Sequence, residues 1–180
     1  AESLAVREIL LIHPEVFGDG RGFFMEVWNE RDMDEALGYR VRFVQDNHSR
    51  SAYGVIRGLH YQIESAQGKL VRVVSGEIFD VAVDLRRSSE TFGEWVGVEL
   101  SAKNKSQLWI PPGFAHGFLV LSDVADVLYK ATEYYEPASE RTIRWDDPTI
   151  GIEWPIPGIE PLVSDRDAGG LSFAQAPMYD

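Results

Sequence analysis

Short runs rich in Val, Ile, Phe, Tyr and Trp recur along this chain, cut apart by Gly, Pro, Asn, Asp or Ser. This punctuation constrains the fold more than any other feature, because it leaves almost no stretch long enough for a helix. The strand candidates are 9–12, 23–28, 41–45, 69–74, 78–85, 107–110, 116–121 and 127–132. Within one of them, Val81, Val83 and Leu85 alternate with Ala82 and Asp84, the period of a half-buried strand. The one early helix spans Glu30–Leu37, with Gly38 placed to stop it. Residues 148–161 are rich in proline and glycine and read as an irregular arm lying on the surface. Many short strands with frequent turns close into a barrel or a sandwich. The expected fold is all-β, a jelly-roll barrel with short peripheral helices. It forms a single domain over 1–180, with the core barrel over about 40–135 and a C-terminal arm over about 146–180.

Composition removes several function classes. The 180 residues contain no cysteine, which excludes disulfides, thiolate catalysis and cysteine-based zinc or iron–sulfur sites, and fits a cytoplasmic protein. A net charge of −12 repels nucleic acid and acidic membrane surfaces, so neither is an expected partner. No apolar run approaches membrane-spanning length, and the first residues lack a basic-then-apolar leader pattern. An anionic ligand would have to be held by local arginines and lysines against the field of the whole protein.

One pair of motifs carries chemistry. Gly54 leads to His60 across five residues, and Pro111, Gly113 and His116 follow later. This is the spacing of the two-part cupin signature, in which a His-x-His and a Glu on the first part and a His on the second bind metal. Here Gln62 stands in place of the second His, and Gln67 falls near the Glu. Two imidazoles and two neutral amides make a poor cage for a divalent ion, so no metal and no cofactor are expected. A barrel that keeps one His and places Lys69 nearby points to direct acid–base chemistry.

Seven motifs then resemble those of the dTDP-4-dehydrorhamnose 3,5-epimerase family, in the family's order, from about Ile12 to Asp167. They are Phe17-Gly-Asp-Gly-Arg-Gly-Phe-Phe24, Gln45-Asp-Asn-His-Ser49, Arg57-Gly-Leu-His-Tyr-Gln62, Gln67-Gly-Lys-Leu-Val-Arg72, Gly113-Phe-Ala-His-Gly-Phe118, Tyr129-Lys130 and Ser164-Asp-Arg-Asp167. The resemblance implies a cupin-type, metal-free jelly-roll homodimer. Its implied reaction converts dTDP-4-dehydro-6-deoxy-D-glucose to dTDP-4-dehydro-L-rhamnose.

The resemblance also implies roles, each tested against elementary chemistry. A C4 ketone acidifies the hydrogens on C3 and C5, so inversion needs a base, an enolate stabiliser and an acid on the opposite face. His60 is the expected base, since a neutral imidazole titrates near working pH. Asp167 is its expected orienting partner, with Asp165 as a rival two residues away. Tyr129 is the expected acid, with Tyr134 and Tyr135 as rivals better suited to lining the nucleotide side. Lys69 begins a strand and shares a face with Val71 and Val73, an unusual place for a solvated lysine, and is the expected enolate stabiliser. Asp80 on a neighbouring strand is a candidate to pair with it. His116, Arg21, Glu26, Gln45, Asn47, Arg57 and Glu140 match substrate-binding positions, and Arg166 occupies one where the family often has lysine.

Strand alternation raises a difficulty, because it puts Arg57 and His60 on opposite faces. A bulge, a bend at Gly58 or a second subunit would resolve it. Competing readings are a C3- or C5-mono-epimerase of a related dTDP-4-keto sugar, a metal-dependent cupin enzyme, and a non-catalytic dTDP-sugar-binding barrel.

Overall fold

The computed structural model of the protein describes every residue except Pro157 and Ile159, so part of the 148–161 arm lies outside the described residues. The chain runs β1 (Glu2–Ser3), β2 (Leu10–Ile12), β3 (Val16–Asp19), β4 (Gly22–Met25), α1 (Glu30–Leu37), β5 (Gln45–Ala52), β6 (Val55–Gln62) and β7 (Lys69–Ser75). It continues through β8 (Glu77–Asp84), β9 (Trp95–Ser101), β10 (Gln107–Ile110), β11 (Phe114–Val120), β12 (Val124–Ala131), β13 (Glu140–Thr142), β14 (Leu162–Val163) and α2 (Asp165–Ala168). One sheet has the order β1-β2-β10-β7-β12-β5, and the other has β13-β6-β11-β8-β9 with β14 also on β6. This is the expected jelly-roll, cupin-like all-β architecture.

Each sheet contributes its inward residues to one apolar core. Val71, Val73, Leu108, Ile110 and Val127 from the first sheet meet Ile78, Ala82, Val96, Leu100, Phe114, Phe118 and Val120 from the second. Interior-facing positions alternate with outward ones along the strands except at bulges, so these residues fix the register of both sheets. Outside the first sheet, α1 lays Met33 on Leu10, Leu70 and Trp109. Its ends follow from its sequence. The Asn29 side chain accepts a hydrogen bond from the Arg31 N–H at 3.1 Å, and Gly38, at φ 75°, lets its own N–H reach Asp34 O at 2.8 Å.

The Val81, Val83, Leu85 strand departs from the half-buried expectation, because both its faces are covered. Those three residues lie on the outer side of the second sheet, beneath Ile143, Ile150, Trp154, Phe173 and Ala176. The C-terminal segment therefore acts as a second layer, and Asp80, Ala82 and Asp84 are the inward set, all at 0% exposure. Two further expectations shift. Residues 41–44 are not strand, and the strand begins at Gln45 and runs to Ala52. The 23–28 strand stops at Met25 and pairs only within the β3–β4 hairpin. Among the described residues no helix is long and apolar enough to cross a membrane.

Candidate active site

The site is built on β6, and a bulge there solves the alternation problem. Along the β6–β11 ladder His60 pairs with His116 and Arg57 with Phe118, so three steps on β6 oppose two on β11. Gly58 is the extra residue. Its φ is 111°, and a Cβ there would sit 2.6 Å from His116 O and 2.7 Å from Gly117 Cα, so no other residue fits. Before the bulge Val55 packs on the interior core, and after it Leu59 and Tyr61 pack on the outer layer. Arg57 and His60 consequently face inward together.

Asp167 reaches His60 from far down the chain by a short parallel pairing. Leu162 and Val163 align with Val55 and Ile56, and the Ser164 hydroxyl then caps α2 by accepting the Asp167 N–H at 3.1 Å. Asp167 Oδ1 lies 2.5 Å from His60 Nε2, while Oδ2 accepts the Gly58 N–H at 3.3 Å. Burial pushes the Asp167 carboxyl up, but the His60 hydrogen bond and charge outweigh it and the net shift is downward. An ionised Asp167 requires the hydrogen on Nε2, which leaves the Nδ1 lone pair of His60 free. Asp165, the rival, is exposed.

His116 forms a second such pair. Its Nε2 lies 2.9 and 3.0 Å from the two oxygens of Asp80, so Asp80 bonds to His116 and not to Lys69. Burial pushes the His116 pKa down. Lys69 is buried at 8% exposure beside Val71, and burial lowers its pKa to about 8 against the opposing pull of Asp80 and Glu140. Tyr129 projects from β12 on the same wall, with Lys69 Nζ 5.9 Å from its ring centre. Burial, then the Glu140 charge, raise the Tyr129 pKa, and Arg57 partly offsets them. Arg57 is aimed by its Nε–H, which donates to Ser51 Oγ at 2.8 Å.

The mouth of the site is lined by polar groups. Burial pushes the Glu140 carboxyl up, but Arg166 and the Tyr135 hydroxyl, each at 2.5 Å, bring its pKa down. Gln45 donates to Asn47 Oδ1 at 2.9 Å and accepts the Tyr135 N–H at 3.0 Å. Arg21 and Glu26 do not join this group within the chain. Arg21 is 90% exposed on the β3–β4 hairpin, paired to Asp19, and Glu26 is exposed beside Asn29. Gln62 and Gln67, which stand at the cupin ligand positions, spend their amides on backbone groups. Among the described residues no three His, Asp or Glu side chains converge as metal ligands.

Sequence reading missed Ser51 and Ser49, both on the inward side of β5. The signal was the alternation Gln45, Asn47, Ser49, Ser51, polar where a core strand would be apolar.

With this geometry in hand, comparison with known proteins is decisive. The family model described as dTDP-4-dehydrorhamnose 3,5-epimerase matches residues 3–175. The chain belongs to the dTDP-4-dehydrorhamnose 3,5-epimerase family. It is 59% identical to that epimerase of Pseudomonas aeruginosa over 179 residues, covering 99% of this chain and 98% of the relative. It superimposes with a TM-score of 0.95 on the dTDP-6-deoxy-D-glucose-3,5-epimerase of Legionella pneumophila, solved with dTDP-4-keto-L-rhamnose, at 51% identity over 98% of this chain and 93% of that one. A 3′-monoepimerase of Streptomyces bikiniensis in complex with dTDP-quinovose scores 0.91 at 34% identity, covering 97% and 88%. The epimerase family thus spans relatives named for double and for single inversion.

Proposed function

We infer that this protein is a dTDP-4-dehydrorhamnose 3,5-epimerase, converting dTDP-4-dehydro-6-deoxy-D-glucose to dTDP-4-dehydro-L-rhamnose. One observation carries the chemistry. His60 projects from one sheet, while Lys69 and Tyr129 project from the facing sheet. A sugar held between the two walls meets a base on one face and a proton donor on the other, as inversion demands.

In this reading His60 Nδ1 removes the hydrogen next to the C4 ketone, and Asp167 stabilises the imidazolium that forms. The electron pair moves from the breaking C–H bond onto O4, where the Lys69 ammonium meets the developing charge. The Tyr129 hydroxyl then gives its proton to the opposite face of the same carbon. Its raised pKa keeps it protonated and ready to donate. Once the His60 imidazolium has released its proton to water and the Tyr129 phenolate has regained one, the same steps at the second carbon complete the double inversion, with no cofactor required. Arg57, Arg166 and His116, with Gln45, Asn47 and Glu140, bind the nucleotide diphosphate and sugar, and Tyr135 offers its face to thymine.

Arg21 and Glu26 enter through a homodimer. The β3–β4 hairpin exposes Phe17, Phe23 and Phe24 at 55, 61 and 69%, a density of exposed aromatic surface suited to a second copy. We place Arg21 and Glu26 of one subunit at the nucleotide of the other, in a cytoplasmic enzyme.

The test is proton NMR of the substrate incubated with the enzyme in heavy water, with and without chelator. The C3 and C5 signals should both disappear, chelator should change nothing, and His60→Ala should abolish the exchange. Loss of one signal alone would assign a mono-epimerase, and retention of both with the unmodified protein would overturn the reading.

A further inference from the structure

Gln62 occupies a place where a metal-binding barrel carries a histidine, yet the reaction gives it nothing to do. It is 3% exposed, and its carboxamide is fully used. Nε2 donates to Ser65 O at 2.8 Å and Tyr134 O at 3.2 Å, while Oε1 accepts the Glu136 N–H at 2.8 Å. Two of these three partners belong to segment 133–140, which presents Tyr134, Tyr135 and Glu140 at the mouth of the site. The residues after Gln62 grip the same segment. The Ile63 N–H donates to Ser139 O at 3.0 Å, and the Glu64 N–H donates to Ser139 Oγ at 2.7 Å. From the outer side, the Tyr179 hydroxyl donates to Gln62 O at 2.5 Å. Tyr179 is itself stitched to the sheet, its N–H on Leu85 O at 3.1 Å and its carbonyl accepting the Arg87 N–H at 2.9 Å.

We propose that Gln62 is a positioning residue for nucleotide binding, holding segment 133–140 in the conformation that offers Tyr134, Tyr135 and Glu140 to the nucleoside, with Tyr179 bracing it from behind. A carboxamide suits the task because it donates twice and accepts once in a single plane. A methionine would fill the same space while leaving two carbonyls and an N–H without partners. Tyr134 is 67% exposed and Tyr135 48%, so the segment has little packing of its own and depends on this clamp. The proposal rests on the reading that this segment meets the nucleotide.

Three measurements test it: dTDP affinity by titration calorimetry, steady-state KM and kcat, and amide hydrogen exchange across 133–140. In Gln62→Met the dTDP Kd and the KM should rise about tenfold while kcat stays within about threefold, and the 133–140 amides should exchange faster without ligand. In a Tyr135→Ala background the same change should cost less than about twofold, since both act through one segment. Unchanged affinity, or independent multiplication of the two effects, would overturn the proposal. Should Gln62→Met fail to fold, Tyr179→Phe replaces it, with an expected two- to threefold loss of affinity that likewise vanishes beside Tyr135→Ala. Wild-type protein that fails to bind dTDP would sink the epimerase reading instead, and the exchange of 133–140 in the free variant would still judge the clamp.

Discussion

His60 with Asp167 and His116 with Asp80 are the same chemical pair, set directly across one antiparallel ladder, and they differ in what governs proton transfer. The His60 side chain is 28% exposed and lies on the inward face of its sheet. His116 is 7% exposed, with both oxygens of a wholly buried Asp80 against it. Asp167 is brought from 107 residues away by a two-residue strand and a single helical turn, whereas Asp80 sits on the neighbouring strand. In the proposed reaction identical residues thus serve as a proton carrier where water can enter, and as a fixed part of the binding wall where it cannot.

The difference can be broken experimentally. The largest effect is expected for His60→Ala, a fall in kcat of at least about 10³-fold with little loss of stability, against a smaller kinetic loss and a lower Tm for His116→Ala. Equal kinetic losses with equal Tm would erase the distinction. Next is Lys69→Met. Keeping that ammonium charged while buried costs on the order of 3 kcal/mol, so the variant should lose about 10²–10³-fold in kcat yet melt several degrees higher. Asp167→Asn should cost about 10²-fold in kcat by releasing the wrong tautomer, while Asp80→Asn should show mainly as a lower Tm. A thermal scan beside each rate assay separates the two outcomes.

The smallest effect is a pH dependence. The Lys69 pKa is lower folded than unfolded, so kcat/KM should fall as pH rises through about 8, when the ammonium is lost. Stability has the opposite slope. The unfolded chain holds that proton more tightly, so the burial penalty is full below about 8 and fades towards the ordinary lysine value of 10.5. Lys69→Arg should carry no alkaline limb at that pH if Lys69 is its source.

These assignments drew on features of unequal legibility. Helix α1 was readable to the residue because its Gly38 stop is a local signal acting over one turn. Strand β5 was not, because Gln45, Asn47, Ser49 and Ser51 line a cleft and so lack the apolar alternation that marks a strand. The spacing of Gly54 and His60 announced a site. The Asp167 contact depends on β14 docking to β6, a pairing two residues long that no periodicity reveals. Gln62 was visible as an oddity, but its partners lie on backbone atoms far along the chain. The hairpin of Arg21 follows its motif in sequence, yet the Arg21 side chain is exposed and paired to Asp19 rather than to the rest of the site.

The bulge at Gly58 makes β6 behave like a reading frame. Residues before it are inward at odd numbers, Val55 and Arg57, and residues after it are inward at even numbers, His60 and Gln62. Were Gly58 paired as a regular strand residue instead of bulged, strict alternation would return and shift the phase of everything downstream. Leu59 and Tyr61 would turn into the cleft, and His60 and Gln62 would turn out beneath the C-terminal layer. One bulged residue is thus enough to decide which face of this strand carries its chemistry, without altering a single functional side chain.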